Sequence, residues 1–126
     1  MLIWLDGADP RLGTGARATI EEAHQAGELV VSAISFWEAA MLVERGRLEL
    51  DISNRAWRQD LLSAGLGEIA VDGDIGITAA TLVGFHGDPA DRLITSTALL
   101  RGDRLLIVDQ KILAWDGAVM RQDARV

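Results

Sequence analysis

The stretch Leu29-Val30-Val31-Ser32-Ala33-Ile34 is a short apolar run, and a second run, Leu105-Leu106-Ile107-Val108, occurs late in the chain. Such runs are typical of strands buried on both faces of a parallel sheet. A helical pattern follows the first run over residues 35–44, and another precedes the second run over residues 89–101. Apolar strands that alternate with helices predict a three-layer α/β domain, in which helices flank a central, mostly parallel sheet.

The rest of the chain continues this alternation without a repeat, a low-complexity tract or a linker. A chain of 126 residues is long enough for one hydrophobic core but not for two, so residues 1–126 are expected to form a single domain. Further helices are predicted over residues 14–26, 53–64 and 74–83, a strand over 66–71, a loop over 84–87 and a short edge strand over 118–121.

The charge balance restricts how the domain binds other molecules. There are 12 Lys and Arg residues against 19 Asp and Glu residues, which gives a net charge of −7. A broad basic face for nucleic acid is therefore disfavoured. A nuclease, however, needs only a local basic rim and a cation at the scissile phosphate. Arg45, Arg47 and Arg92 are candidates for that rim, and Arg92 is the one expected to contact a substrate phosphate.

Composition also indicates the compartment. The absence of cysteine excludes disulfides, a thiolate nucleophile and a cysteine-ligated zinc site. No apolar run is long enough to span a bilayer. Asp6 and Asp9 interrupt the apolar start, and no basic segment precedes it, so a signal peptide is not expected. We therefore expect a cytoplasmic protein that has no membrane partner.

Three acidic residues lie just after a predicted strand or at the start of a helix: Glu38, Asp91 and Asp109. In parallel sheets, ligands bind beyond the carboxyl ends of the strands. Three carboxylates at that edge would repel one another and raise each other's pKa unless a cation lies among them. Hard oxygen ligands favour Mg²⁺ or Mn²⁺, and such an ion supports phosphodiester hydrolysis.

Each acid also has a purely structural interpretation. Ser35 and Glu38 fit a capping box. The segment Asp88-Pro89-Ala90-Asp91 is a favourable helix start, and Asp109 fits the cap of a turn. His86 is interpreted as a loop contact. These alternatives stay open for each residue alone, although the apolar surroundings of Glu38 favour more than a cap, because a lone carboxylate on a buried helix is costly.

Several separate motifs carry a resemblance to known proteins. In order, they are Asp9-Pro10-Arg11-Leu12, Val31-Ser32-Ala33-Ile34-Ser35-Phe36-Trp37-Glu38-Ala39-Ala40, Arg45-Gly46-Arg47-Leu48-Glu49-Leu50, Phe85-His86-Gly87-Asp88-Pro89-Ala90-Asp91-Arg92-Leu93-Ile94 and Leu105-Leu106-Ile107-Val108-Asp109-Gln110-Lys111-Ile112-Leu113. Over essentially the whole chain, the sequence resembles the PIN-domain family and, more narrowly, the VapC-type ribonuclease toxins of bacterial toxin–antitoxin operons.

The resemblance implies a PIN fold whose carboxylates hold Mg²⁺ or Mn²⁺ and whose activity is the cleavage of RNA. It places the second, third and fourth acids of the family at Glu38, Asp91 and Asp109, as metal ligands and catalytic residues. Similar proteins form dimers and are held inactive by a small antitoxin whose tail enters the active site. The expected partners are therefore RNA, a cognate antitoxin and a second copy of the chain.

The sequence departs from the family pattern at two places. Residues 1–7 align best with a helix that follows the family's first strand, so that strand and its aspartate are expected to be absent, with Asp6 only imitating the missing acid. On this interpretation Met1 is an internal methionine of a longer reading frame. The hydroxyl residue usual two positions before the last acid is Ile107 here. Both departures predict weak metal binding and poor cleavage.

Two other functions are weighed against the nuclease. One is a catalytically impaired PIN-like module that still binds an antitoxin or its own copy. The other is a receiver-type phosphoacceptor, which fits poorly because Lys111 is too close to Asp109. Association with an antitoxin or a second copy is also expected. Residues 36–43 are more apolar than packing on one sheet face requires. A chain of this length also has a surplus of aromatic anchors, namely Trp37, Trp57 and Trp115.

Overall fold

The computed structural model describes residues 2–3, 12–107 and 109–126, with residues 2 and 3 described by their backbone alone. The elements are β1 (Leu2–Ile3), α1 (Thr14–Gln25), β2 (Val30–Ser32), α2 (Ala33–Glu44), α3 (Asn54–Ser63), β3 (Gly67–Ile69), α4 (Gly73–Ala80), α5 (Pro89–Arg101), β4 (Leu105–Ile107), α6 (Gln110–Leu113) and β5 (Arg121–Asp123).

The five strands form one sheet in the order β3-β2-β1-β4-β5, and every described pairing is parallel. β2 and β4 are buried along their whole length, as their apolar sequences predict. The predicted α/β fold is confirmed. Because the order runs outward in both directions from β1, the crevice beyond the carboxyl ends of β1 and β4 is a topological switch point, where open α/β sheets bind ligands.

The first strand corrects the sequence analysis. Residues 1–7 were aligned with a helix, but Leu2–Ile3 is extended and pairs with both β2 and β4. A strand therefore occupies the centre of the sheet, where the first strand was expected to be missing. Asp6 and Asp9 lie outside the described residues.

Helix starts and stops follow local rules. The Ser32 hydroxyl accepts a hydrogen bond from the Ile34 N–H at 3.3 Å, so α2 begins at Ala33, two residues earlier than predicted. At α5, the Asp88 side chain caps the N-terminus, Pro89 occupies the first turn, and Gly102 ends the helix with φ of 69°.

The main core lies between the sheet and α5. It consists of apolar residues with less than a tenth of their surface exposed: Val30, Phe85, Ile94, Ala98, Leu105, Ile107, Ile112 and Val119. α4 and α2 both pack on α5, so α5 is held on two sides. No helix among the described residues is long and apolar enough to cross a membrane.

Two further differences concern exposure and register. α2 was expected to be buried nearly all round, yet only Ser35 and Ala39 are buried on it and Trp37 is 55% exposed. The last strand was predicted over residues 118–121, but pairing with β4 places it at Arg121–Asp123. Strand position is decided there by the partner strand rather than by the local sequence.

Candidate active site

His86, Asp91 and Asp109 come together beyond the carboxyl end of β4. Each offers one ligand atom, and these atoms all lie within 4.8 Å of one another. Asp91 lies in the first turn of α5, Asp109 caps α6 directly after the strand, and His86 lies in the turn before α5. Of the three predicted acids Glu38, Asp91 and Asp109, this cluster contains Asp91 and Asp109, and a histidine joins them.

Asp91 is the most buried member, with 4% of its surface exposed. Its Oδ2 lies 2.7 Å from His86 Nε2, and its backbone N–H donates to Asp88 Oδ1 at 3.0 Å. Its Oδ1 is buried and has no hydrogen-bond partner among the described residues. A buried carboxylate oxygen without a donor is costly, so this atom is suited to a ligand that carries positive charge.

Burial raises the pKa of Asp91 from 3.8 to about 6. The hydrogen bond from His86 opposes this rise, whereas the negative charges of Asp88 and Asp109 add to it. A cation bound among these groups would remove both the desolvation penalty and the repulsion. The two carboxylates, one of them held by His86, therefore fit a divalent ion such as Mn²⁺ or Mg²⁺.

Asp109 combines a structural role with its place in this cluster. Its Oδ1 accepts a hydrogen bond from the Lys111 N–H at 2.7 Å, which starts α6. The capping interpretation of Asp109 is therefore correct for one oxygen. Because a carboxylate has two acceptor oxygens, the cap fixes the orientation of the group and leaves the second oxygen for a ligand.

Glu38 lies on α2, which packs against α5. The capping-box interpretation of Glu38 is wrong, because Ser32 rather than Ser35 caps the helix. One carboxylate oxygen of Glu38 is buried. The side chain lines a cavity of about 240 Å³ together with Asp88 and Ala90, the neighbours of Asp91. It is not a member of the group whose ligand atoms lie within 4.8 Å of one another.

Comparison with known proteins agrees with this fold. A profile of the PIN domain matches residues 2–117. The chain belongs to the PIN domain family. Over 110 residues, this PIN domain is 37% identical to Ribonuclease VapC22 of Mycobacterium tuberculosis (strain ATCC 25618 / H37Rv). The matched region covers 86% of this chain and 82% of that protein. The predicted resemblance is confirmed, and the receiver-type alternative is wrong.

Arg92 has a different role in this PIN domain from the predicted phosphate contact. Its guanidinium donates from Nε to the His86 carbonyl at 2.9 Å, from Nη1 to the Ala79 carbonyl at 2.8 Å and from Nη2 to the Phe85 carbonyl at 2.9 Å. The group also lies over the Phe85 ring, at 5.8 Å. Arg92 therefore joins α5 to the turn that carries His86, and each of its three nitrogens donates to a backbone carbonyl.

Sequence reasoning missed the contribution of His86 to this PIN domain. Its ring stacks on Phe85 with centroids 4.4 Å apart, and Arg92 holds its carbonyl. The imidazole therefore approaches Asp91 from a fixed position. The signal available in the sequence was the spacing. His86 lies five residues before Asp91, and the predicted helix start lies between them.

Buried hydroxyl groups beside the acids were also missed. Ser35 on α2 and Thr95 and Ser96 on α5 are fully buried, and their hydroxyl oxygens lack hydrogen-bond partners among the described residues. Thr95 lies one helical turn after Asp91 on α5. The polar run at residues 95–97 in an otherwise apolar helix was the signal available in the sequence.

Proposed function

We propose that this PIN domain is a metal-dependent endoribonuclease toxin of a toxin–antitoxin pair, with Glu38, Asp91 and Asp109 as metal ligands and catalytic residues. The observation that carries the proposal is the buried Oδ1 of Asp91, which has no hydrogen-bond partner among the described residues and belongs to a group that also contains Asp109 and His86. Ribonuclease VapC22, which is similar in sequence, carries the name of a ribonuclease. Hydrolysis of RNA is an activity that a divalent ion at such a site supports.

The three acidic residues have separate roles in the proposed metal site. When bound, Mg²⁺ or Mn²⁺ supplies an activated water and neutralises charge that develops on the scissile phosphate. Asp91 and Asp109 would hold the ion from α5 and from the start of α6, and both are fixed by hydrogen bonds of 2.7 Å. Glu38 would add a third carboxylate from α2, the helix that packs against α5.

The alternative of a catalytically impaired binding module keeps one observation in its favour. Ile107, two residues before Asp109, is fully buried in β4 and has no hydroxyl to orient a metal-bound water. The two functions differ in one measurement, namely the turnover of RNA by protein that has bound its metal. A module that binds Mn²⁺ and an antitoxin without turnover would favour the alternative.

The direct test is cleavage of a labelled single-stranded RNA with Mn²⁺ by the wild-type chain and by Glu38→Gln, Asp91→Asn and Asp109→Asn. We expect each substitution to reduce the rate by about 10- to 100-fold or more, since even indirect partners of a metal contribute that much. The matched control is Asp60→Asn, which replaces an exposed carboxylate on α3 with a carboxamide. Equal rates in all variants would contradict the proposal.

Two protein partners belong to the same proposal. A small antitoxin with a basic tail complements an acidic cleft in a chain of net charge −7. An apolar cavity of about 330 Å³, lined by Ile20, Leu29, Trp57 and Leu61, offers an anchor for its apolar part. Binding by the product of the neighbouring open reading frame, with loss of Mn²⁺-dependent cleavage, tests this. An RNA substrate would be available in the cytoplasm, which is the compartment that we propose for this activity.

The second partner is another copy of the chain. Ile77 on α4 and Val83 after it are 69% and 87% exposed, and a symmetric dimer would bury such a patch twice. Light scattering should give the mass of a dimer for the wild type and a monomer for Ile77→Lys. A wild-type monomer at high concentration would contradict this partner.

A further inference from the structure

Trp37 differs from the other described tryptophans in having an exposed ring. Trp57 packs edge-on against Phe36 at 5.7 Å. Trp115 packs edge-on against Phe85 at 5.2 Å and donates its Nε1–H to the Val83 carbonyl at 2.9 Å. Trp37 is 55% exposed although it precedes Glu38 directly. A large aromatic ring therefore lies beside the proposed active site without an intramolecular role among the described contacts.

The Trp37 side chain forms a wall of the same cavity of about 240 Å³ that Glu38 lines. The other apolar walls are Met41 from α2 and Pro89 from the first turn of α5. Arg45, at the end of α2, supplies a guanidinium at the cavity. The cavity lies between two helices that pack on each other, so its walls are held by the fold rather than by a loop.

Two of the residues that line this cavity carry carboxylates. Glu38 and Asp88 contribute carboxylate oxygens, which accept hydrogen bonds only. Asp88 already accepts the Asp91 N–H with Oδ1. A ligand here needs a flat apolar face, N–H donors on its edge and a phosphate within reach of a guanidinium. A nucleotide meets all three conditions, since bases stack on aromatic rings and present exocyclic amino groups.

We propose that this cavity binds one base of the RNA strand, with Trp37 as its stacking platform, Asp88 as an acceptor for base N–H groups and Arg45 as a phosphate contact. The proposal rests on the proposed ribonuclease function. Glu38 and the residues preceding Asp91 line the cavity, so the bound nucleotide is a neighbour of the scissile phosphate. A cavity of about 240 Å³ suits one base better than a helix of a protein partner.

The test measures RNA binding in an Asp109→Asn background, which prevents cleavage and leaves the cavity residues unchanged. The probes are a fluorescein-labelled single-stranded RNA of mixed sequence and an abasic strand of the same length. Trp37→Ala and Trp37→Phe are compared with Leu100→Ala, whose side chain is 52% exposed on the same protein. Light scattering of each variant reports any change in association.

We expect Trp37→Ala to weaken binding of the RNA by roughly tenfold or more, because one base–aromatic stack is lost. Trp37→Phe should keep most of the affinity, Leu100→Ala all of it, and the abasic strand should bind wild-type and Trp37→Ala protein alike. Equal binding of RNA by Trp37→Ala and wild type would overturn the proposal. So would a Trp37→Ala variant that changes only the oligomeric state, because the ring would then belong to a protein interface.

Failure of this inference is distinguishable from failure of the proposed function. If Mn²⁺-dependent cleavage depends on Asp91 and Asp109 but Trp37→Ala cleaves with unchanged KM, only the base site is wrong. If the wild type neither binds nor cleaves the RNA, both proposals are overturned. If Trp37→Ala raises KM and leaves kcat within a few fold, both are supported, since stacking then contributes to binding of the strand.

Discussion

His86 Nε2 lies 2.7 Å from Asp91 Oδ2, and this contact leaves Oδ1 as the oxygen of Asp91 that has no partner among the described residues. The imidazole is fixed by stacking on Phe85. The geometry therefore assigns one carboxylate oxygen to a structural hydrogen bond and the other to the proposed ion. Histidine contacts of this kind orient metal ligands.

Replacing His86 tests that arrangement. His86→Phe should keep the stacking on Phe85, remove the hydrogen bond and lower Mn²⁺ affinity by about 10- to 100-fold. The pKa of Asp91 should rise further, because the hydrogen bond from His86 lowers it. Titration of Mn²⁺ followed by electron paramagnetic resonance measures the affinity. His86→Gln, which retains an N–H donor, should recover part of it, and unchanged affinity in His86→Phe would contradict the assignment.

Asp91 should make the metal-free protein less stable as the pH rises. Its pKa is raised from 3.8 to about 6 on folding, so the folded chain binds more protons than the unfolded chain in this interval. The stabilising effect of protonation is complete below the lower value and is lost as the pH rises through the upper one. The difference amounts to about 2–3 kcal/mol.

The corresponding variant is Asp91→Asn, which carries no charge at any pH. In the presence of a chelator, urea unfolding should show Asp91→Asn to be more stable than the wild type near neutral pH, with the advantage disappearing below about pH 4. Saturating Mn²⁺ should reverse the order, because only the wild type binds it with Asp91. A pH-independent difference between the two proteins would show that burial does not perturb this carboxyl.

Arg92 should act on stability rather than on substrate. Its three hydrogen bonds reach carbonyls at the end of α4 and in the turn before α5. Arg92→Lys should therefore lower the free energy of unfolding by about 2–4 kcal/mol, since a single ammonium cannot replace the planar fork. Thermal unfolding measures this effect. Arg47→Lys, at an exposed position, is the control, and a Tm equal to that of the wild type would restore the phosphate interpretation.

Asp6 is the acid that follows β1 in the sequence, three residues after Ile3. Since β1 lies beside β4, we expect Asp6→Asn to lower Mn²⁺ affinity by about tenfold or more, comparable to Asp109→Asn. Asp9→Asn is the nearby control. An affinity unchanged by Asp6→Asn would favour the interpretation in which this acid only imitates a missing ligand.

The parts of the fold that the sequence predicts well are those decided locally. The apolar runs of β2 and β4 and the capping residues Asp88 and Gly102 each require a particular structure within a few residues. The strand β1 was not predicted, because Leu2–Ile3 is extended through pairing with two strands that are distant in the sequence. No local pattern contains that information.

The candidate site shows the same limit. Asp109 was predictable because it follows a buried strand of a parallel sheet, and Asp91 because it lies at the start of a clearly signalled helix. The charge of Arg92 predicted a phosphate contact, whereas its donation to three carbonyls depends on the turn geometry, which no local pattern contains. His86 joins the site through that same turn, which the sequence describes only as a loop.

The central position of β1 has a consequence for synthesis of the chain. Leu2 pairs with Leu105, about 100 residues later in the sequence, so the sheet closes only through a contact of very long range. A nascent chain therefore has to be synthesised beyond residue 107 before β4 can pair with β1. Asp109 follows β4, so the cluster of His86, Asp91 and Asp109 can assemble only after this long-range pairing becomes possible.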